Sequence, residues 1–172
     1  IFLILILSPI FFLISLFLKI TGEGEVFFLQ ERIGKNHKKF NVIKFVTMKK
    51  DSPNIGTGTI TLKDDPRILP FGNFLRKFKI NELPQLFNVI KGDMSFIGPR
   101  PLTKETFSFY SEEGKKKIIK TKPGLSGIGS IFFRNEEDFI GNNKSSVEKY
   151  QIQIAPYKEK LEIWYIDNES LF

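Results

Sequence analysis

The sequence predicts an α+β fold: a mostly helical cytoplasmic domain with a small β-hairpin, preceded by a kinked helix in the membrane. Residues 1–18 are almost entirely apolar, and residues 26–33 and 40–48 are rich in β-branched and aromatic side chains around a polar turn. Segments after residue 70 carry apolar side chains at helical spacing. We expect a membrane segment over residues 1–20 and a single domain over residues 21–172, a usual domain size.

The apolar run at the N-terminus is interrupted only by Ser8, Pro9 and Ser15 and is followed by Lys19. As a helix it is about 27 Å long, close to the roughly 30 Å of a bilayer's hydrocarbon core. Pro9 removes a backbone hydrogen bond, so we expect a kink, and the Ser8 hydroxyl can satisfy the freed carbonyl. Physics alone favours a kinked spanning helix, because proline is common in such helices. A re-entrant segment, which enters and leaves the same leaflet, is the alternative.

Basic residues after this run indicate its orientation. Lys19 and the basic stretch at residues 32–50 fit a cytoplasmic face that carries anionic lipid. A signal peptide is disfavoured, because no small-x-small cleavage site lies before Lys19.

The composition restricts the chemistry. The net charge of +7 favours anionic partners, and the absence of cysteine excludes a thiolate zinc site and a cysteine nucleophile. His37 is the only histidine, so a multi-histidine metal site is excluded as well. Acid–base and metal chemistry therefore falls to carboxylates, whose oxygens select hard ions such as Mg²⁺ or Mn²⁺.

Local patterns predict the other elements. The two β-branched runs predict the strands of the hairpin, and residues 49–61 have the Ser, Pro, Asn, Gly and Thr content of a loop. Helices are predicted at residues 71–79, 103–120 and 148–166, with a break at Pro156 in the last of these.

The segment around Glu82 predicts a short helix. Asn81 is a good N-cap, Pro84 is tolerated in a first turn, and Gly92 suits the position after the end, so the helix is expected over residues 82–91. Its predicted buried face consists of Leu83, Leu86, Phe87 and Ile90. Glu82 then lies at the positive helix end, where an anion or a metal-bound phosphate is favoured. An ordinary capped core helix is the alternative.

Three arginines were considered as phosphate ligands. Arg100 lies between Pro99 and Pro101, which stiffen the backbone on both sides and present the guanidinium for bidentate phosphate recognition. Arg76 lies just before Asn81, and phosphate contact and a surface ion pair have equal weight for it. Arg67 is expected to be a surface charge that pairs with a nearby acid.

Short motifs surround this segment. In chain order they are Gln30-Glu31-Arg32-Ile33-Gly34, Lys44-Phe45 with Thr47-Met48, Asp65-Pro66-Arg67-Ile68, Phe74-Leu75-Arg76-Lys77, Leu83-Pro84-Gln85-Leu86 with Asn88-Val89, Lys91-Gly92-Asp93-Met94-Ser95, Gly98-Pro99-Arg100-Pro101 and Lys122-Pro123-Gly124-Leu125-Ser126-Gly127. Together they resemble the bacterial sugar transferases called monotopic phosphoglycosyl transferases. The resemblance covers residues 1–129.

The resemblance implies transfer of a sugar 1-phosphate from a nucleotide diphospho-sugar, with UDP as the expected nucleotide, to polyprenyl (undecaprenyl) phosphate. This is the first membrane step of glycan assembly. The resemblance also implies a re-entrant helix kinked at Ser8 and Pro9, in a monotopic protein on the cytoplasmic face of the inner membrane. The expected partners are the lipid acceptor, the nucleotide-sugar donor and the membrane, without nucleic acid. A homodimer is left open.

In this family an Asp-Glu pair supplies the nucleophile and the metal ligand, and an arginine between prolines holds phosphate. Carried over, Glu82 is the Mg²⁺ ligand and a candidate base or nucleophile, with Mn²⁺ as the alternative ion, and Arg100 and Arg76 hold phosphate. The nucleophile position is Asn81, whose neutral amide cannot form an acyl phosphate. Asp93 is the reserve carboxylate.

Several alternatives follow from Asn81. We favour a natural branch that uses another carboxylate or transfers directly, over a substitution that traps a state or an inactive homologue. Val46 is a second departure, because a basic residue is usual at this position in the family. Residues 132–137 also differ from the commoner pattern, and we expect sugar or nucleotide specificity there, with a surface loop as the alternative. A membrane-tethered protein that binds nucleic acid or another anionic polymer is the rival class.

Overall fold

The computed structural model describes residues 2–58, 60–62, 64–140 and 146–169, with the side chains of Glu137 and Ser146 outside the description. Within these residues the chain is mostly helical and contains two small two-stranded sheets, which confirms the mixed fold class. The division into a membrane segment and a single following domain stays a prediction.

The first element is α1, a single α-helix at Phe2–Thr21 with Pro9 inside it. The Ser8 hydroxyl donates to the carbonyl of Leu5 at 2.7 Å. This carbonyl is the one four residues before Pro9 that the proline leaves without an N–H donor, so the predicted compensation is confirmed. The sharp re-entrant turn stays a prediction.

One stripe of α1 packs on the rest of the protein. Phe11, Ile14 and Leu18 are buried in a cluster with Phe45 and Leu75. Most of the other side chains of α1 are large, apolar and exposed. Of the helices in the described part of the chain, α1 is the one long and apolar enough to cross a membrane.

The predicted β-hairpin is confirmed. Strands β1 (Phe27–Ile33) and β2 (Lys39–Phe45) pair antiparallel around a turn at Lys35–His37, with Phe28 opposite Lys44. The strands are slightly shorter than predicted. Because side chains alternate along a strand, one face of the hairpin packs Phe45 against α1, while the opposite face carries Lys44.

The helix predicted from Asn81 begins later than expected. After α2 (Pro70–Lys77) the chain forms a 3₁₀ turn at Ile80–Glu82, and α3 runs over Gln85–Ile90. Pro84 has no N–H for the carbonyl of Ile80, which instead accepts the N–H of Leu83 at 3.1 Å. The prediction of Asn81 as an N-cap is therefore wrong.

The buried face of α3 also differs from the prediction. Leu86 is buried, but Phe87 and Ile90 are exposed and the polar Asn88 is buried instead. The Asn88 side chain donates to the carbonyl of Asn41 at 2.7 Å and accepts the N–H of Ile43 at 3.0 Å. These bonds to the backbone of β2 set the rotation of the helix.

A second, parallel sheet was not predicted. It joins β3 (Ser95–Ile97) to β4 (Gly124–Ser126). The two strands approach so closely that a Cβ on Gly124 would lie 2.2 Å from the nitrogen of Gly98. Glycine is therefore required where this sheet passes the turn that carries Arg100.

Short helices build the second half of the chain. They are α4 (Lys104–Ser108), α5 (Glu112–Ile118), α6 (Ile128–Phe132), α7 (Glu136–Ile140), α8 (Ser146–Lys149), a π-helical segment (Tyr150–Ile154) and α9 (Ala155–Asn168). The single helix predicted over residues 103–120 is two helices, because the Ser111 side chain caps the start of α5 by accepting the N–H of Gly114. Pro156 lies in the first turn of α9, directly after the π-helical segment.

Arg67 is buried, which corrects the expectation of a surface charge. Its Nη2 pairs with Asp65 Oδ2 at 2.6 Å, and the guanidinium also donates to the carbonyls of Ser52, Ile55, Gly58 and Ile60. Burial would raise the pKa of Asp65, but the hydrogen bonds from Arg67 outweigh this and lower it. Arg67 therefore fixes the loop before α2 in one conformation.

We expect Arg67→Lys to lower the free energy of unfolding by about 2 kcal/mol or more, because lysine cannot donate to Asp65 and several carbonyls at once. Chemical unfolding in detergent measures this. The control Arg134→Lys changes an exposed arginine and should stay within about 0.5 kcal/mol of the unmodified chain. Equal stability of the two variants would contradict the role given to Arg67.

Candidate active site

A cavity of about 590 Å³ opens between the hairpin, the 3₁₀ turn and the C-terminal helices. Four of the predicted site residues line it: Asn81, Glu82, Arg76 and Arg100. The structure thus brings together residues that the sequence separates by more than twenty positions. Ser8 and Pro9 lie elsewhere, in α1.

Glu82 lies between two cations. Its Oε1 is 2.8 Å from Lys44 Nζ and 3.7 Å from Arg100 Nη2. The side chains of Glu82 and Lys44 are only 18% and 17% exposed, so the charges attract each other in a partly desolvated setting. The 3₁₀ turn that presents Glu82 follows Lys79, which adopts the left-handed conformation at φ 58°.

These contacts set the protonation states at neutral pH. Burial would raise the pKa of Glu82, but Lys44 and Arg100 outweigh it and hold that pKa far below its usual value. Burial lowers the pKa of Lys44 to about 8, against the opposing effect of Glu82. At pH 7 the carboxylate is ionised and the Lys44 ammonium keeps its proton, which it loses as the pH rises through about 8.

The turn that carries Arg100 is held on both sides. Gly124 donates its N–H to the carbonyl of Pro99 at 2.8 Å, and Arg32 Nη1 donates to the carbonyl of Pro101 at 2.9 Å. The N–H of Arg100 donates to Glu162 Oε1 at 3.3 Å. The predicted stiff base for the guanidinium is confirmed, and hydrogen bonds add to the effect of the two prolines.

Sequence reasoning did not single out Arg32 and Lys44 as site residues. Arg32 lines the same cavity, and burial together with the charge of Arg100 lowers its pKa to about 10. The alternation Phe28, Gln30, Arg32 along β1, opposite Lys44 on β2, places all four on the cavity side of the hairpin. That two-residue period was the signal that could have found them.

Asn81 is buried, at 6% exposure, and lines the cavity. Its Oδ1 has no hydrogen-bond partner among the described residues. An unsatisfied buried amide oxygen next to the Glu82 carboxylate gives two adjacent oxygen donors of the kind that Mg²⁺ binds. In the described ranges no cluster of three Asp, Glu, His or Cys side chains could hold a metal alone. The pair fits an ion that also takes phosphate and water oxygens.

Asp93 does not reach this site. It lies beyond the far end of α3, where its N–H donates to the carbonyl of Asn88 at 3.0 Å and its carboxylate is 3.7 Å from Lys38. Asp93 is not among the residues that line the cavity. The geometry therefore does not support it as the reserve carboxylate.

Residues 132–137 contribute to the cavity wall, as the specificity hypothesis requires. Phe133, Arg134 and Glu136 line the cavity, and the side chain of Glu137 lies outside the described residues. Val46, the second departure from the family pattern, also lines it.

The chain was compared with known proteins. The family model described as bacterial sugar transferase matches residues 1–172. The exopolysaccharide production protein ExoY of Sinorhizobium fredii is 33% identical over 147 residues, covering 77% of this chain and 65% of ExoY.

Two relatives have more specific names. The undecaprenyl-phosphate glucose phosphotransferase of Komagataeibacter xylinus is 42% identical over 134 residues, covering 75% of this chain and 25% of that protein. The UDP-glucose:undecaprenyl-phosphate glucose-1-phosphate transferase of Escherichia coli is 37% identical over 148 residues, covering 84% of this chain and 32% of that protein.

The chain thus spans about two thirds of the length of the rhizobial relative and a third or less of the other two. The family match covers every residue, including the segments that carry Glu82, Arg100 and Lys44. This chain belongs to the bacterial sugar transferase family.

Proposed function

We propose that the chain transfers a sugar 1-phosphate from a UDP-sugar to undecaprenyl phosphate and releases UMP. The observation that carries this proposal is the ionised Glu82, held 2.8 Å from Lys44 and 3.7 Å from Arg100 in a cavity of about 590 Å³. The named substrates of the relatives, undecaprenyl phosphate and UDP-glucose, supply the two reactants.

The charges of the cavity suit a diphosphate. Arg32, Lys44, Arg76 and Arg100 line the same space as Glu82. Phosphoryl transfer needs little covalent help from a protein but much charge neutralisation and in-line placement. The stiffly mounted Arg100 can hold two phosphate oxygens at once.

Asn81 and Glu82 are the residues that would hold Mg²⁺. Both ion pairs of Glu82 use Oε1, so the ion would take Oε2 together with Asn81 Oδ1. A bound Mg²⁺ would neutralise charge on the donor phosphates.

The proposal includes direct transfer, without a covalent enzyme intermediate. Asn81 cannot form an acyl phosphate, Glu82 is engaged by two cations, and Asp93 lies outside the cavity. A phosphate oxygen of the lipid acceptor bonds to the phosphorus that carries the sugar, and the bond from that phosphorus to the bridging oxygen breaks. UMP leaves with the electron pair, and the polyprenyl diphospho-sugar is the product.

The position of α1 supports a lipid acceptor. Ile80 and Leu83, which flank Asn81 and Glu82, pack against the buried stripe of α1. A helix embedded in the membrane would therefore hold the catalytic turn directly at the lipid surface. We propose a monotopic, re-entrant α1 in the cytoplasmic membrane, with the cavity on the cytoplasmic side.

The direct test is release of UMP by the purified chain from a panel of UDP-sugars. We expect release only when both polyprenyl phosphate and Mg²⁺ are present. Metal-independent binding of single-stranded nucleic acid without any turnover would contradict the proposal and support the anionic-polymer class.

We expect Glu82→Gln to lower the rate of UMP release at least about 100-fold, because the amide neither pairs with Lys44 nor binds a metal as a carboxylate does. The matched control is Glu31→Gln, which changes an exposed glutamate paired with Lys39 on the hairpin. Near-normal release by Glu82→Gln would refute the site.

We expect Asn81→Asp to lower turnover by about tenfold, because it adds a negative charge beside Glu82 where an anionic donor binds. Turnover is compared with that of Asn73→Asp, an exposed position on α2 that should have no effect. Intact-mass spectrometry of the unmodified chain with donor alone should show no phospho-sugar adduct. Higher turnover in Asn81→Asp, or an adduct on the unmodified chain, would overturn direct transfer.

A further inference from the structure

A second charged pair lies in the wall of the same cavity, apart from Glu82. Lys158 Nζ on α9 is 2.6 Å from Glu136 Oε2 at the start of α7. The side chain of Lys158 is 4% exposed and that of Glu136 is 23% exposed. Neither residue is used in the transfer described above.

Two aromatic rings enclose the ammonium group of this pair. Lys158 Nζ is 5.4 Å from the ring centroid of Phe133 and 5.4 Å from that of Tyr150, and both rings line the cavity. Burial lowers the pKa of Lys158 to about 8, and Glu136 acts in the opposite direction.

A buried ion pair adds little stability over a well-packed apolar pair, because both ions lose their hydration. A buried pair in a cavity wall, with rings beside it, instead has the composition of a ligand site: apolar faces with a few convergent polar groups.

The pair adjoins the phosphate site through Arg100. The Arg100 guanidinium is 3.7 Å from Glu82, and its Nη1 donates to Ser130 Oγ at 3.3 Å. Ser130 lies in α6, and three residues further along the chain Phe133 carries one of the rings beside Lys158. A group attached to a phosphate on Arg100 is therefore next to Glu136 and Lys158.

We propose that Glu136 and Lys158, with the rings of Phe133 and Tyr150, bind the hydroxyl groups of the donor's sugar. This inference rests on the proposed function. A carboxylate accepts hydrogen bonds from neighbouring hydroxyls and an ammonium donates to them, while the rings pack against the C–H face of a pyranose. A neutral, planar uracil makes less use of two opposite charges.

The test measures the affinity of the full chain in detergent for UDP-glucose, for UDP-galactose and for UDP, by calorimetry. Glu136→Gln keeps the size of the side chain and removes its charge. It should weaken binding of the preferred UDP-sugar at least tenfold and leave UDP affinity within twofold, because UDP carries no sugar.

A double variant and a control complete the design. Glu136→Gln with Lys158→Met leaves no buried charge unpaired, so it keeps the test valid if the single variant unfolds. Its expected loss is the same. The control Asp167→Asn removes a carboxylate from the exposed pair with Lys117, 2.7 Å apart, and should change neither affinity.

Each other outcome overturns the assignment. Equal weakening of UDP and UDP-sugar would place the nucleoside at Glu136, and no weakening of either would make the pair purely structural. An unmodified chain that binds UDP-sugar through Glu136 but releases no UMP would refute the transferase function and leave the sugar pocket standing. A chain that binds neither ligand would refute both.

Discussion

The contact of Glu82 with Lys44 and Arg100 joins the parts of the fold that matter for function. Lys44 belongs to the hairpin, Glu82 to the 3₁₀ turn and Arg100 to the turn after β3. A partly buried carboxylate needs these cations, and loss of one partner would leave an uncompensated charge. The cavity is therefore organised around one electrostatic arrangement to which distant segments each contribute one side chain.

The same arrangement connects the site to the membrane. Lys44 and Phe45 are neighbours on β2, so one points to Glu82 and the other to α1. Leu83 packs toward α1 immediately after Glu82. Alternation along a strand and the turn thus place a phosphate site on one side and an apolar contact with α1 on the other.

Local patterns in the sequence predicted the hairpin, α2 and the stiff mounting of Arg100, because the signals lie within a few residues. They failed where distant contacts decide. Pro84 delayed the start of α3, and hydrogen bonds of Asn88 to β2 set its buried face. The pairing of β3 with β4 and the ion pair of Glu136 with Lys158 join segments more than twenty residues apart, which no local period reveals.

The affinity for UDP as a function of pH tests the central arrangement most directly. Lys44 loses its proton as the pH rises through about 8, so binding to the unmodified chain should weaken above that pH. Lys44→Arg keeps its charge and should bind equally well from pH 7 to pH 10. Identical pH profiles for the two proteins would show that Lys44 and Glu82 do not form the phosphate site.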